Sequence, residues 1–246
     1  GVGGYFGAHL IKTGADVTFL LRGKRHEAIK KNGLTVITPE ESFVVQPKIA
    51  LSEELKPEYD LIVLSPKAYD LDSALSSIEK ASSQGVFLPL LNGRGHINKL
   101  DTLYGSDRVM GGLANIVATI TANGEVERMT DRHILTVGHR AGAHEKVARE
   151  FFRLCDLSKF DSVYSEDIEQ ALWNKWAFLA TLAGLSTLFE TSIGEILEAP
   201  DGGGVIVGMY SEACSVAAEN QHPISPQIQS QALELLTKRG STLQHQ

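Results

Sequence analysis

Gly1-Val2-Gly3-Gly4-Tyr5-Phe6-Gly7 opens the chain and runs into Ala8-His9-Leu10-Ile11-Lys12-Thr13-Gly14, then Ala15-Asp16-Val17-Thr18-Phe19-Leu20-Leu21-Arg22. The stretch reads as the back half of a dinucleotide-binding fingerprint, a short helix, and a strand that ends in arginine. Glycines there let a turn and a helix start approach a pyrophosphate, whose charge the helix N-terminus favours. Gly3 and Gly7 lie four residues apart on one helix face, where missing side chains allow close packing on a sheet. A strand and the first two glycines of G-x-G-x-x-G should precede Gly1. The polypeptide is therefore expected to extend upstream by about eight to ten residues. Taken alone, half a motif fits a glycine-rich surface loop equally well. The strand ending in Arg22, about twenty residues on, tips the reading toward a nucleotide fold.

From Gly1 to about residue 156 strands and helices alternate. Val17–Leu21, Gly33–Ile37, Asp60–Ser65 and Gly85–Leu91 read as strands. The apolar run from Leu61 to Leu64 suits a strand buried on both faces. With helices at Asp72–Ser82 and Ala143–Leu154, this order implies a Rossmann-type parallel sheet with right-handed crossovers. Val109–Ile120 and His133–Val137 are β-rich and are expected to extend that sheet.

Past residue 160 only helices are expected, at Ser165–Leu182, Ser192–Leu197, Val205–Glu219 and Ser225–Lys238. Turn signals at Ala199-Pro200-Asp201-Gly202 and His222-Pro223 divide them. The chain thus divides into an α/β domain over 1–160 and an all-helical domain over 161–246, for substrate or dimerisation. The second domain is expected to continue past Gln246.

Composition excludes several classes. With 246 residues, 43% of them hydrophobic, there is material for a substantial core. A net charge of -7 argues against an electrostatic nucleic-acid binder. No run of 18 apolar residues suggests a membrane span. Cys155 and Cys214 are too few and too far apart for a disulfide framework or a zinc site, and a reducing cytoplasm suits them. No G-x-S-x-G elbow points to a hydrolase, and no helical pair of histidines points to a metal. His96 and His133 read as surface or structural residues.

In an open α/β sheet the ligand lies beyond the carboxyl ends of the strands. Arg22, with Lys24 and Arg25, stands where an NAD enzyme usually carries an acid for the ribose hydroxyls. A basic cluster there suits a 2'-phosphate, so NADP is preferred over NAD, although a solvated basic turn has the same composition. Lys67 follows the Asp60–Ser65 strand and Asn92 the Gly85–Leu91 strand, and either alone could be an ordinary loop residue. Lys175, in Leu172-Trp173-Asn174-Lys175-Trp176, has Ala171, Leu172, Phe178, Leu179 and Leu182 at helical spacing around it. A lysine on such a face snorkels, pairs with a carboxylate, or loses some pKa. The last option suits a general acid.

Gly3-Gly4-Tyr5-Phe6-Gly7, Leu21-Arg22-Gly23, Lys67-Ala68-Tyr69-Asp70, Leu91-Asn92-Gly93 and Trp173-Asn174-Lys175-Trp176 together resemble, in order and spacing, the ketopantoate reductases (2-dehydropantoate 2-reductases). The set spans nearly the whole chain. The resemblance implies an N-terminal Rossmann domain, a helical C-terminal domain, and NADPH-dependent reduction of a 2-oxo acid to a 2-hydroxy acid in the cytoplasm, the pantoate-forming step of pantothenate biosynthesis. It implies Gly3 as the last fingerprint glycine, with Gly4 beside it at the cofactor, and Arg22 as the 2'-phosphate contact. Lys67 and Asn92 would lie near nicotinamide and substrate. Lys175 would protonate the developing alkoxide, and Ser241 would begin a substrate-contacting segment. The small-molecule 2-oxo acid is the expected partner, and a homodimer is compatible with the resemblance. Family members often carry asparagines four and eight residues after the lysine, where this chain has Leu179 and Ala183. That departure favours a less polar oxo acid or an imine as an alternative substrate. A non-catalytic NADP-binding paralogue is a further alternative.

Overall fold

A computed structural model describes residues 1–140 and 144–244. The chain forms two compact units, one of residues Gly1–Leu91 and Gly95–Ile168, the other of Asn92–Arg94 and the residues from Glu169 onward.

In the first unit, helix α1 (Val2–Lys12) leads to β1 (Thr18–Leu20), α2 (Gly23–Asn32), β2 (Leu34–Ile37), β3 (Ser42–Val45) and β4 (Lys48–Ala50). Then come β5 (Leu61–Leu64), α3 (Leu71–Ser77), β6 (Val86–Pro89), α4 (Gly95–Tyr104), β7 (Gly111–Ile120), β8 (Val126–Gly138), α5 (Glu145–Asp156) and β9 (Asp161–Tyr164). β1 pairs parallel with β4, and β5 parallel with β6. β6 presents four buried residues in succession, the pattern of a strand covered on both faces.

Three α1 glycines explain how that helix sits. A Cβ on Gly7 would stand 2.5 Å from the ring of Phe19 on β1, and one on Gly4 2.8 Å from Val126 of β8. A Cβ on Gly3 would collide with the Ser65 hydroxyl just past β5. Each glycine costs a helix interior about 1 kcal/mol relative to alanine. The offset is the close seating of α1, whose Tyr5, Phe6, Ala8 and Leu10 enter the core with Val36, Val126 and Leu135.

The β-rich segments after residue 109 depart from the sequence expectation. β7 and β8 do not join the β5–β6 pair as ladder strands; apart from one parallel bridge between Phe87 and Val109, they build a separate sheet in the order β3-β2-β8-β7. The cause is the turn at Thr121–Glu125. Gly124 takes φ +87, and Thr121 N–H donates to the Glu125 carbonyl, so β7 and β8 form an antiparallel hairpin. Residues 161–164 are a strand, not part of a purely helical tail: β9 runs parallel to β8 from Ile134 to Val137. Lys24 and Arg25 of the basic cluster after β1 stand not in a turn but in α2, which ends on Gly33 at φ +77. The helix expected over 72–82 is α3 followed by a short 3-10 turn. In the helix expected over 143–154, Ala143 lies outside the described residues.

The second unit contains α6 (Ile168–Leu188, from Glu169 onward), α7 (Ile193–Glu198), α8 (Gly202–Glu219) and α9 (Pro226–Leu236). Ser192 and Ser225 cap the starts of α7 and α9 by accepting backbone N–H bonds. The core gathers Trp173, Ala177, Leu182 and Leu185 of α6 with Ile193, Ile196, Ile206, Tyr210 and Leu236. α6 is six residues longer at its C-terminal end than its sequence pattern suggested, and Leu185 in the added turns is buried in this core. No helix among the described residues is long and apolar enough to cross a membrane.

Candidate active site

The start of α1 has no side-chain cap and no acid in its first turn, so its peptide dipole is not neutralised locally. Arg25 and Lys67 both lie within electrostatic reach of Gly1, at this helix end. Arg25 is anchored by donation to the Gly124 carbonyl in the β7–β8 turn. Lys67 sits three residues past β5 and is exposed. Gly3 packs on Ser65 in the same connection, so Gly3, Gly4 and Lys67 are brought together at one end of α1. Backbone N–H groups, a glycine-lined surface and two nearby cations form a donor set that fits a dinucleotide pyrophosphate.

Arg22 lies just past β1, as the residue that precedes α2. Its guanidinium reaches α3: Nη1 donates to Ser73 Oγ at 3.0 Å, and Nη2 to the Ser73 carbonyl at 2.9 Å and Ser77 Oγ at 2.7 Å. Sequence reading did not single out these two serines. They are more than fifty positions from Arg22, and only their spacing of four on a helix face hints at a shared contact.

In the second unit, Lys175 lies in the middle of α6, half-buried. Burial pulls its ammonium from the usual 10.5 down to about 8. Asn174, its neighbour, accepts from Gln170 at 2.9 Å. Asn92 is exposed, on the short loop after β6 that belongs to this unit. Two residues on, Arg94 pairs with Glu169 at 2.7 Å and stacks on Trp173, 4.4 Å from the ring centre. The Asn92 loop is thereby tied to the first turns of α6, an anchor that sequence reading missed.

Ser241 belongs to a different part of the unit. Its carbonyl accepts from Gly194 N–H at 2.9 Å at the start of α7, and its hydroxyl accepts from Leu243 N–H at 3.2 Å. His96 is buried rather than at the surface, and His133 Nδ1 shares a hydrogen bond with the Tyr5 hydroxyl at 2.6 Å. Cys155 is buried and Cys214 half-buried, both as free thiols.

The family model described as "Ketopantoate reductase PanE/ApbA" matches residues 1–142, and "Ketopantoate reductase PanE/ApbA C terminal" matches 167–245. "Uncharacterized oxidoreductase YkpB" of Bacillus subtilis (strain 168) is 30% identical over 238 residues, covering 96% of this chain and 78% of that protein. The 2-dehydropantoate 2-reductase of Lactococcus lactis subsp. lactis (strain IL1403) is 26% identical over 220 residues, covering 88% and 70%. Among solved structures, D-mandelate dehydrogenase with NADH and anilino(oxo)acetate superposes with a TM-score of 0.83 at 21% identity, covering 99% of this chain and 79% of that one. That likeness is one of fold.

Proposed function

The chain belongs to the ketopantoate reductase family of oxidoreductases, and from that premise we propose that it uses NADPH to reduce a 2-oxo acid to a 2-hydroxy acid. The first substrate to consider is 2-dehydropantoate, giving pantoate. The bound nicotinamide supplies the hydride. The backbone of Gly3 and Gly4 receives the pyrophosphate, Lys67 adds positive charge beside it, and Arg22 receives the 2'-phosphate.

The observation that carries the reading is Lys175, a lysine within apolar α6 whose burial holds its pKa at about 8. Hydride arriving at the 2-oxo carbon leaves negative charge on oxygen. An ammonium near that oxygen stabilises the charge and then gives up its proton. A pKa of about 8 leaves the group protonated at neutral pH yet makes it a better acid than an exposed lysine. In this reading Asn92 contributes its amide to nicotinamide and substrate. Ser241 retains its hydroxyl hydrogen for a substrate contact while accepting from Leu243.

A second reading changes the substrate and not the chemistry. Leu179 and Ala183 follow Lys175 at helical spacing, where an amide pair would favour a hydroxylated acid. Both are half-buried, and Leu179 packs at the edge of the apolar core. They favour a less polar 2-oxo acid. Consumption of NADPH with a panel running from 2-dehydropantoate to alkyl and aryl 2-oxo acids tests both readings. Binding of NADPH without turnover on any member would point instead to a non-catalytic protein.

A further inference from the structure

Arg22 is exposed, and an exposed arginine ordinarily samples many rotamers, so its value as an anion contact depends on what holds it. Here three hydrogen bonds hold it, all to one face of α3. The acceptors are themselves fixed. The Ser77 hydroxyl donates back to the Ser73 carbonyl at 2.7 Å, and the Ser77 carbonyl accepts from the Ser52 hydroxyl at 2.5 Å. Ser52 follows β4, the parallel neighbour of β1, so the network links the carboxyl ends of two adjacent strands through α3.

We propose that Ser73 and Ser77 are the positioning residues that set cofactor choice, holding the Arg22 guanidinium at the end of β1 for a ribose 2'-phosphate. The inference rests on the proposed NADPH reading and deepens it. A guanidinium carries five N–H groups. Three are spent on α3, leaving Nε–H and one hydrogen of Nη1 for phosphate oxygens. Ser73 accepts from Arg22 through Oγ and donates its own hydroxyl hydrogen to no group among the described residues, so it can add a third donor to the same anion. A cation fixed in advance loses less freedom on binding, which favours the phosphorylated cofactor without touching the unphosphorylated one.

The test measures equilibrium binding of NADPH and NADH to the full chain, its Ser73→Ala/Ser77→Ala and Ser73→Thr/Ser77→Thr variants, and Arg22→Ala. The double alanine variant should weaken NADPH by about 3–10-fold and leave NADH unchanged, because the main-chain bond to Ser73 survives. The threonine variant, which keeps both hydroxyls, should restore the preference. Equal weakening of both cofactors would mean a structural role and overturn the proposal. An undiminished NADPH preference in the double alanine variant, with the preference lost in Arg22→Ala, would overturn the positioning role and leave the NADPH reading standing. No NADPH preference in the unaltered protein, or one that survives Arg22→Ala, would remove the underlying reading and this inference with it.

Discussion

Gly7 of α1 lies directly over the Phe19 ring of β1, so closely that a methyl group would come within 2.5 Å of Cζ and 2.9 Å of a second ring carbon. Only the Phe19 ring separates helix from strand at this point, with no side chain from α1 between them, which fixes the depth at which α1 sits. Gly7→Ala should raise helix propensity yet lower stability. The overpacking cost of about 1–3 kcal/mol exceeds the propensity gain of about 1 kcal/mol in most of that range. Chemical denaturation of the variant beside the unaltered protein measures the difference. A more stable variant would show that the helix can lift freely.

His9, two residues further along α1, makes the first unit acid-sensitive. Only 3% exposed, it packs among Tyr5, Phe43 and Phe160, and its Nε2 has no hydrogen-bond partner among the described residues. Burial, reinforced by Lys12 and His133, pulls its pKa from 6.5 to about 4. The folded protein therefore keeps His9 neutral where the unfolded chain has taken up a proton. Stability from this residue is intact above pH 6.5 and falls as pH drops toward 4, by at most ~3 kcal/mol. His9→Phe should flatten that part of the stability profile. An unchanged acid slope in the variant would assign the sensitivity to other groups.

The elements legible in the sequence are those whose own pattern decides them. The glycine face of α1 and the apolar run of β6 are local signals that the structure uses directly, whereas β5, read as a strand buried on both faces, leaves Val63 40% exposed. α2 was less visible because only His26 and Ile29 of its ten residues are buried, so its pattern is that of a polar turn. β3, β4 and β9 have three or four residues each and acquire their identity from partners far along the chain. At the candidate site, the apolar setting of Lys175 follows from helical spacing. The seat of Arg22 on Ser73 and Ser77 does not, since it depends on where α3 is placed relative to β1.

Leu179 offers a test of substrate polarity. Leu179→Asn places an amide one helical turn after Lys175. If a less polar acid is the substrate, the variant should shift kcat/KM toward a hydroxylated 2-oxo acid by about 1–3 kcal/mol, or roughly 5–150-fold. A preference for the hydroxylated acid already present in the unaltered protein would remove the second reading.

The pH profile reports on the lysine itself. With Lys175 at about 8, reduction requires the protonated form and should decline as pH rises through 8. Oxidation of the 2-hydroxy acid requires the neutral amine and should increase over the same range. Measuring kcat/KM in both directions gives mirrored curves if one group serves both. A reductive rate constant across that interval would mean that another group donates the proton.

We expect Lys175→Ala to lower kcat by about 10²–10⁴ while NADPH affinity stays within roughly twofold of the unaltered value. The decisive measurement is kcat and NADPH affinity on the same folded preparation of that variant. A large fall in turnover with cofactor binding preserved is the predicted result. Near-normal turnover, accompanied by a change in stability, would contradict the account and leave Lys175 as a packing residue of α6.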